Sequence, residues 1–348
     1  MSALVHSHRH GRTGHLSLAR PRALNALNHD MIAELTRALL EWRDDPTIEV
    51  VLLDHAEGRG FCAGGDVAAV RRSVLEDGGK AGRAFFMAEY RLNHLLFTYP
   101  KPVAAFMDGI TMGGGVGLAL PARYRVATEN TVFAMPEAAI GLFPDVGAGW
   151  YLSRLPGRLG PFLALTGARL DGAECLWAGL ATHYLPSEVL PEAKARIARE
   201  PALLSAILDQ LSAKPPEPRI AGTLGEIDRL FAADRIDDIL AALANDASDW
   251  AAQQSAVLRS KSPLTLKVAL RQIAGARDIA DFAEEMRIEY RLASRVIEEP
   301  NFAEGVRAVL VDKDNSPRWN PAAPEGISET KIDALFAPLP EAEEWTPL

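Results

Sequence analysis

"DGITMGGGVGLALPA" (residues 108–122) runs on from the short apolar segment "KPVAAFMDG" (101–109), and the same arrangement occurs once earlier, where "GRGFCAGGDVAAV" (58–70) follows "EVVLLDHA" (49–56). In both places strand-forming residues meet glycines and then a helix-forming stretch. Glycine lets a backbone adopt positive φ and approach a ligand closely. Unpaired N–H groups at the following helix start aim positive partial charge at whatever lies there. Neither turn is a dinucleotide fingerprint, since "GGGVGL" ends in Leu118 where that motif has a sixth-position glycine, and no GK[ST] follows for a nucleotide P-loop. Two such turns on neighbouring strands can place two backbone donors on one oxygen, which is the geometry of an oxyanion hole. Each turn alone also has a plain reading, in which Asp66 simply caps its helix.

Outward from these turns, "RYRVATENTVFAM" (123–135) reads as two more short strands, and strand, turn, helix and strand alternate through the first ~185 residues. Short apolar strands interleaved with helices indicate an α/β core with buried strands. At the N-terminus "VHSHRH" and "HLSLA" flank "GRTG" and read as a hairpin. His6, His8 and His10 then share one strand face. No carboxylate accompanies them, so a solvated strand explains them better than a zinc site, which needs about four ligands. From about residue 190 onward, apolar residues recur at three- and four-residue spacing, broken by "KPPEP" (214–218). The expected organisation is a core over 1–190 carrying the site, a helical region over 191–330, and a Pro- and acid-rich tail over 331–348 that is at most partly ordered.

The 348 residues are 48% hydrophobic and 24% charged, with a formal net charge of −9. An acidic chain argues against a sequence-independent grip on nucleic acid or anionic membrane. No apolar run reaches the ~18 residues of a membrane span. The basic N-terminus lacks the apolar centre of a secretory signal, and two cysteines make no disulfide framework, so a cytoplasmic setting is expected. Cys62 has no histidine in the local sequence to activate it and reads as a buried filler. His183 reads as structural too.

Carboxylates provide the other signal. "AMPEAAIGLFPDVGAGW" (134–150) carries Glu137 and Asp145 through a nearly all-apolar stretch with no Lys or Arg between them. Glu89, on the helix "GRAFFMAEYRLNHLLFTYP" (82–100), falls within the stripe made by Phe85, Leu92 and Leu96. An acid in such a place is either paired in the core or faces a polar cavity.

Together, "FCAGGD", "GITMGGGVGLAL" and "FAMPEAAIGLFPDVGAGWYLSRLPG" resemble the crotonase (enoyl-CoA hydratase/isomerase) superfamily. "RPRALNALNHDMI" is similar to its N-terminal segment. "FFMAEYRLNHLL", "FLALTGARL", "SPLTLKVALRQI" and "VRAVLVDKDNSPRW" resemble its 3-hydroxyisobutyryl-CoA hydrolase branch, so the likeness spans roughly residues 12–320. The resemblance implies a crotonase-like spiral of ββα units with a helical C-terminal region, and an acyl-CoA thioester as substrate. It assigns the N–H groups of Gly65 and Gly114 to the thioester oxygen, with Gly64 and Asp66 beside the substrate. Hydratases of the superfamily carry one glutamate after the glycine triplet and a second in the later "PE". Here the first position is Gly117 and the second is Glu137, while the hydrolase branch adds the aspartate seen as Asp145. The implied reaction is hydrolysis of a short 3-hydroxyacyl-CoA, a step of valine catabolism, with Glu137 and Asp145 catalytic and Glu89 a polar contact. No metal or bound cofactor is implied, because CoA is part of the substrate. Trimers and hexamers are common in the superfamily, so a homo-oligomer is an open expectation. The alternatives are hydration or isomerisation by one glutamate, and a CoA- or RNA-binding protein without catalysis.

Overall fold

Ten strands build two sheets whose order explains why the glycine turns meet. The computed structural model describes residues 4–348. The strands are β1 (Val5–His10), β2 (Thr13–Leu18), β3 (Val50–His55), β4 (Gly60–Cys62), β5 (Val103–Met107), β6 (Ile110–Met112), β7 (Tyr124–Ala127), β8 (Val132–Ala134), β9 (Leu170–Asp171) and β10 (His183–Tyr184). One sheet has the order β1-β2-β3-β5-β7-β10 and the other β4-β6-β8-β9. Beyond the antiparallel β1–β2 hairpin, the larger sheet is parallel throughout. Each of β3–β4, β5–β6 and β7–β8 sends its first strand to the larger sheet and its second to the smaller, and a helix or helical turn follows. The chain therefore winds as a spiral of ββα units. The short strands β4 and β6, which come between each long strand and its glycines, are too brief to show a period in the sequence.

The central strands β3 and β5 of the larger sheet are buried on both faces, which is why they read as continuous apolar runs. Alternate residues divide between two cores. Val51, Leu53, Val103 and Ala105 face the main core, while Val50, Leu52, Ala104 and Phe106 face helices Leu190–Arg199 and Leu204–Leu211. Helices Pro263–Ala276 and Phe282–Val296 put Leu266, Val268, Met286 and Leu292 into that same main core. The helical region is thus continuous with the spiral.

The tail departs from expectation. It is packed: helix Glu329–Phe336 buries Ile332 and Leu335, and Trp345 is fully buried, its ring 5.5 Å from that of His94. Arg91 donates to the Thr346 carbonyl at 2.8 Å, and Arg291 pairs with Glu344 at 2.8 Å. These partners lie far apart in sequence, so composition alone made the segment look unstructured.

Asp54, on β3, ties the hairpin to the helical layer. Its buried carboxylate accepts from the Ser17 hydroxyl, meets His15 Nε2 at 3.0 Å and pairs with Lys194 Nζ at 2.5 Å. Burial alone would raise this carboxyl, but the His15 and Lys194 interactions outweigh it and hold the group at about 2. A folded-state pKa below the unfolded value stabilises above about pH 4, and that contribution is lost as pH falls toward 2. Asp54→Asn is therefore expected to cost about 2 kcal/mol at neutral pH. Urea unfolding at pH 7 and pH 3 tests this: the gap between wild type and variant should shrink at the lower pH.

His6, His8 and His10 stand in file, with neighbouring ring centroids 6.0 and 6.3 Å apart. Among the described residues, no group of three His, Cys, Asp or Glu is arranged to hold a metal ion. His183 meets Thr182 at 2.8 Å and Asp209 at 3.3 Å, as a structural histidine would.

Candidate active site

The two glycine turns come together because β4 and β6 are parallel neighbours in the smaller sheet. Gly64 (φ +120°) and Gly113 (φ +49°) take the backbone into helices Val67–Asp77 and Gly114–Ala119. The approach is close. A Cβ placed on Gly114 would lie 3.2 Å from the nitrogen of Gly65, and one on Gly115 would overlap the Cys62 carbonyl at 2.1 Å. Gly114 is the first residue of its helix, so its N–H has no partner within that helix. Among the described residues neither the Gly65 nor the Gly114 amide donates to another backbone group. Both glycines line one cavity of about 640 Å³.

Four carboxylates line that cavity, and three of them are buried. Glu137 begins the helical turn Glu137–Ile140 directly after β8, and Asp145 lies on the loop before helix Ala148–Leu152. Glu89 comes from helix Lys80–Phe97. Their exposures are 1% for Glu89, 5% for Glu137 and 4% for Asp145. One oxygen of Glu89 and one of Glu137 find no hydrogen-bond partner. Both abut the glycine turns: a Cβ on Gly113 would sit 2.9 Å from Glu137 Oε1, and one on Gly114 2.5 Å from Glu89 Oε1. Glu89 therefore faces the cavity and is not paired in the core. Asp145 differs, because the buried Tyr90 hydroxyl donates to its Oδ2 at 2.7 Å.

Among the described residues none of Glu89, Glu137 and Asp145 is paired with a cation, and burial governs their protonation. Burial, then the charges of Asp145 and Glu89, pushes Glu137 well above the usual carboxylate range. Burial does the same to Glu89, with Asp145 adding to it. Asp145 rises less, to about 6, because the Tyr90 hydrogen bond opposes burial. Cys62 is fully buried, and burial pushes its thiol up to about 12, so it is a filler and no nucleophile.

At position 117 the structure is closed. A Cβ on Gly117 would lie 2.5 Å from Cβ of Val146 and 2.7 Å from Nδ2 of Asn93. Asn93 is itself fixed, donating to the Gly117 carbonyl at 3.0 Å. Val146 reaches this place through a positive φ of 58°, unusual for a β-branched residue. Position 117 is therefore filled by the Val146 side chain and the Asn93 amide.

The structure gathers Gly64, Gly65, Gly114, Glu89, Glu137 and Asp145 into one cavity, as the sequence suggested. Asp66 lies at its rim, but its carboxylate is occupied. It caps helix Val67–Asp77 through Ala69 N at 3.2 Å and pairs with Arg20 at 2.9 Å, so it shapes the entrance and is no free contact for substrate. The assignment of the site to residues 1–190 also needs extension, since Val309, Leu310 and Lys313 of the helical region close one side of the mouth. Sequence reading passed over Tyr90 as well. Its spacing of four from Phe86 put it on the same buried stripe, where a phenol needs a hydrogen-bond partner.

A family model described as enoyl-CoA hydratase/isomerase matches residues 13–336. The 3-hydroxyisobutyryl-CoA hydrolase 1 of Arabidopsis thaliana is 42% identical over 334 residues, which cover 92% of this chain and 88% of that one. The mitochondrial 3-hydroxyisobutyryl-CoA hydrolase of Danio rerio is 42% identical over 347 residues, 96% of this chain and 89% of that one. Among solved structures, a carnitinyl-CoA dehydratase from Mycobacterium thermoresistibile superposes with a TM-score of 0.94 at 37% identity over 99% of both chains. An enoyl-CoA hydratase from Rhodobacter sphaeroides 2.4.1 gives a TM-score of 0.92 at 38% identity, covering 99% of this chain and 100% of that one.

Proposed function

Since the chain belongs to the enoyl-CoA hydratase/isomerase family, we propose that it hydrolyses a short 3-hydroxyacyl-CoA thioester, 3-hydroxyisobutyryl-CoA foremost, to the free acid and CoA. The observation that carries this reading is the filled position 117 in a chain that keeps Glu137 and Asp145 in the cavity wall. Adding water across a double bond calls for two positioned acid–base groups, and the wall that would hold the second is occupied by Val146 and Asn93. The relatives named as 3-hydroxyisobutyryl-CoA hydrolases support the same substrate. Valine breakdown, which produces that thioester, is the pathway the reading implies.

In this reading the thioester oxygen lies between the N–H groups of Gly65 and Gly114, which stabilise the negative charge that develops on it. Glu137, beside the turn, attacks the carbonyl carbon, expelling CoA as its thiolate and leaving a mixed anhydride that water then hydrolyses, or takes a proton from the water that attacks that carbon as the C–S bond breaks. Either role needs its carboxylate form. Asp145, held by Tyr90, orients the 3-hydroxyl or the water, and the unpartnered oxygen of Glu89 supplies a second polar contact. Arg22 and Lys313, which line the cavity and have no carboxylate partner among the described residues, are placed to meet the CoA phosphates.

The test is thiol release from 3-hydroxyisobutyryl-CoA, with hydration of crotonyl-CoA measured in parallel. Thiol release without hydration supports the reading, and hydration without thiol release overturns it. The rate should fall as pH drops into the range where Glu137 gains its proton, which burial and the charges of Asp145 and Glu89 place well above that of an ordinary carboxylate.

A further inference from the structure

Behind Asp145, away from the cavity, lies a second set of buried acids that the mechanism above does not use. Glu285 and Glu289 are one turn apart on helix Phe282–Val296, and both have 0% exposure. Three N–H groups point at Glu289. Gly147 N donates to Oε2 at 2.7 Å, and Gly149 N and Gln272 Nε2 donate to Oε1 at 3.3 and 2.9 Å. Neither oxygen of Glu285 has a hydrogen-bond partner, and a Cβ on Gly149 would fall 1.9 Å from Glu285 Oε1. Burial raises the proton affinity of both, and the charge of Glu285 adds to the effect at Glu289. The three donors that face Glu289 favour its carboxylate and oppose the effect of burial.

Gly147 and Gly149 begin the helix that follows the Asp145 loop, and Val146 between them and Asp145 is held at positive φ. A strained turn persists only where its surroundings over-determine it. Glu289 supplies that constraint as a cap contributed from a helix more than a hundred residues away in sequence. The same turn directs Asp145 into the cavity and Val146 against Gly117.

We propose that Glu289 is a positioning residue for the hydrolytic site: it clamps the amides of Gly147 and Gly149, so that the turn presents Asp145 to the substrate and seats Val146 at position 117. This rests on the thioesterase reading for its kinetic consequences and on the hydrogen bonds alone for its structural ones. The clamp also places an ionisable acid close enough to Asp145 for their charges to interact. The other ionisable groups around the pair are Glu89 and Tyr90 on helix Lys80–Phe97, Glu137 on its turn, Tyr151 on helix Ala148–Leu152, and Glu285, whose nearest cation is Arg154.

Glu289→Gln in the full chain tests the proposal. Glutamine keeps the shape but presents an N–H where one of the donors needs an acceptor. The expected result is a 10- to 100-fold fall in kcat with KM changed less than threefold, and a displaced acid limb of the pH profile, because an ionisable neighbour of Asp145 has become a neutral amide. Hydrogen exchange over residues 145–149 should accelerate at least tenfold while the rest of the chain keeps its protection. A fall in kcat that tracks a lower Tm, with neither the limb nor local exchange altered, would show Glu289 to be only a structural acid and overturn the proposal. Unchanged exchange at 145–149 overturns it even if the wild-type protein releases no thiol, whereas absent wild-type activity with accelerated exchange overturns the thioesterase reading alone.

Discussion

Glu137→Gln should lower thiol release by about 10³-fold or more while leaving the protein at least as stable as wild type at pH 8. The loss follows from chemistry, since an amide can neither attack a thioester carbon nor accept a proton from water at neutral pH, and positioned acid–base groups are typically worth 10²–10⁴ in rate. Stability follows from burial. Glu137 is 5% exposed, faces Asp145 and Glu89, and has a folded-state pKa well above that of an unfolded glutamate. For a carboxyl shifted upward, the fold loses stability as pH rises through the window above about 4.5, because the unfolded chain ionises more readily. The wild type carries that cost at pH 8 and the variant does not. Thermal unfolding at pH 5 and pH 8 should show the variant's relative stability improving with pH. A variant that retains a tenth of wild-type thiol release would remove Glu137 from the reaction.

The second large effect is expected at Gly114. In an ordinary helix, alanine is more favourable than glycine by about 1 kcal/mol, so Gly114→Ala would be harmless if the turn were only structural. Here the added methyl would stand 2.5 Å from Glu89 Oε1 and 3.2 Å from both Gly65 N and Gly64 C. It would wedge the two turns apart and push Glu89 away. The amides of Gly65 and Gly114 could then no longer converge on one oxygen, and loss of a single such donor commonly costs 10²–10³ in kcat. Because the rest of the CoA cavity is untouched, KM should change by less than about fivefold, leaving the defect in the chemical step. Steady-state kinetics at saturating substrate settle the point: a kcat within tenfold of wild type means these amides do not form the oxyanion site.

The site was legible in the sequence where a residue broke a local rule. Glu89 interrupts an apolar stripe, Glu137 and Asp145 enter an apolar segment without a cation, and the glycines follow buried strands. Each anomaly needed only neighbouring residues to be seen. Glu285 and Glu289 break the same rule, three and seven places after the buried Phe282. They passed as part of an acidic amphipathic helix, because "FAEEMRIEYR" carries enough surface charge to hide two buried acids. Other features depend on contacts that no local pattern contains. The positive φ of Val146 is imposed from Glu289, and the burial of Trp345 depends on arginines on two distant helices. Strands of three residues, such as β4 and β6, are stabilised by the neighbours they pair with and leave almost no period to read.

The plug at position 117 bears on how such a protein can change over generations. A glutamate there is excluded by Val146 on one side and Asn93 on the other, and Val146 sits in a turn clamped by Glu289. Any lineage restoring that glutamate alone would pass through a poorly folded intermediate. Room has to be made first, at two separate elements, by substitutions that bring no catalytic benefit of their own. Until those permissive changes occur, drift at residue 117 is confined to glycine. The packing thus works as a ratchet, keeping a lineage in its reaction class through folding even where selection on activity is relaxed.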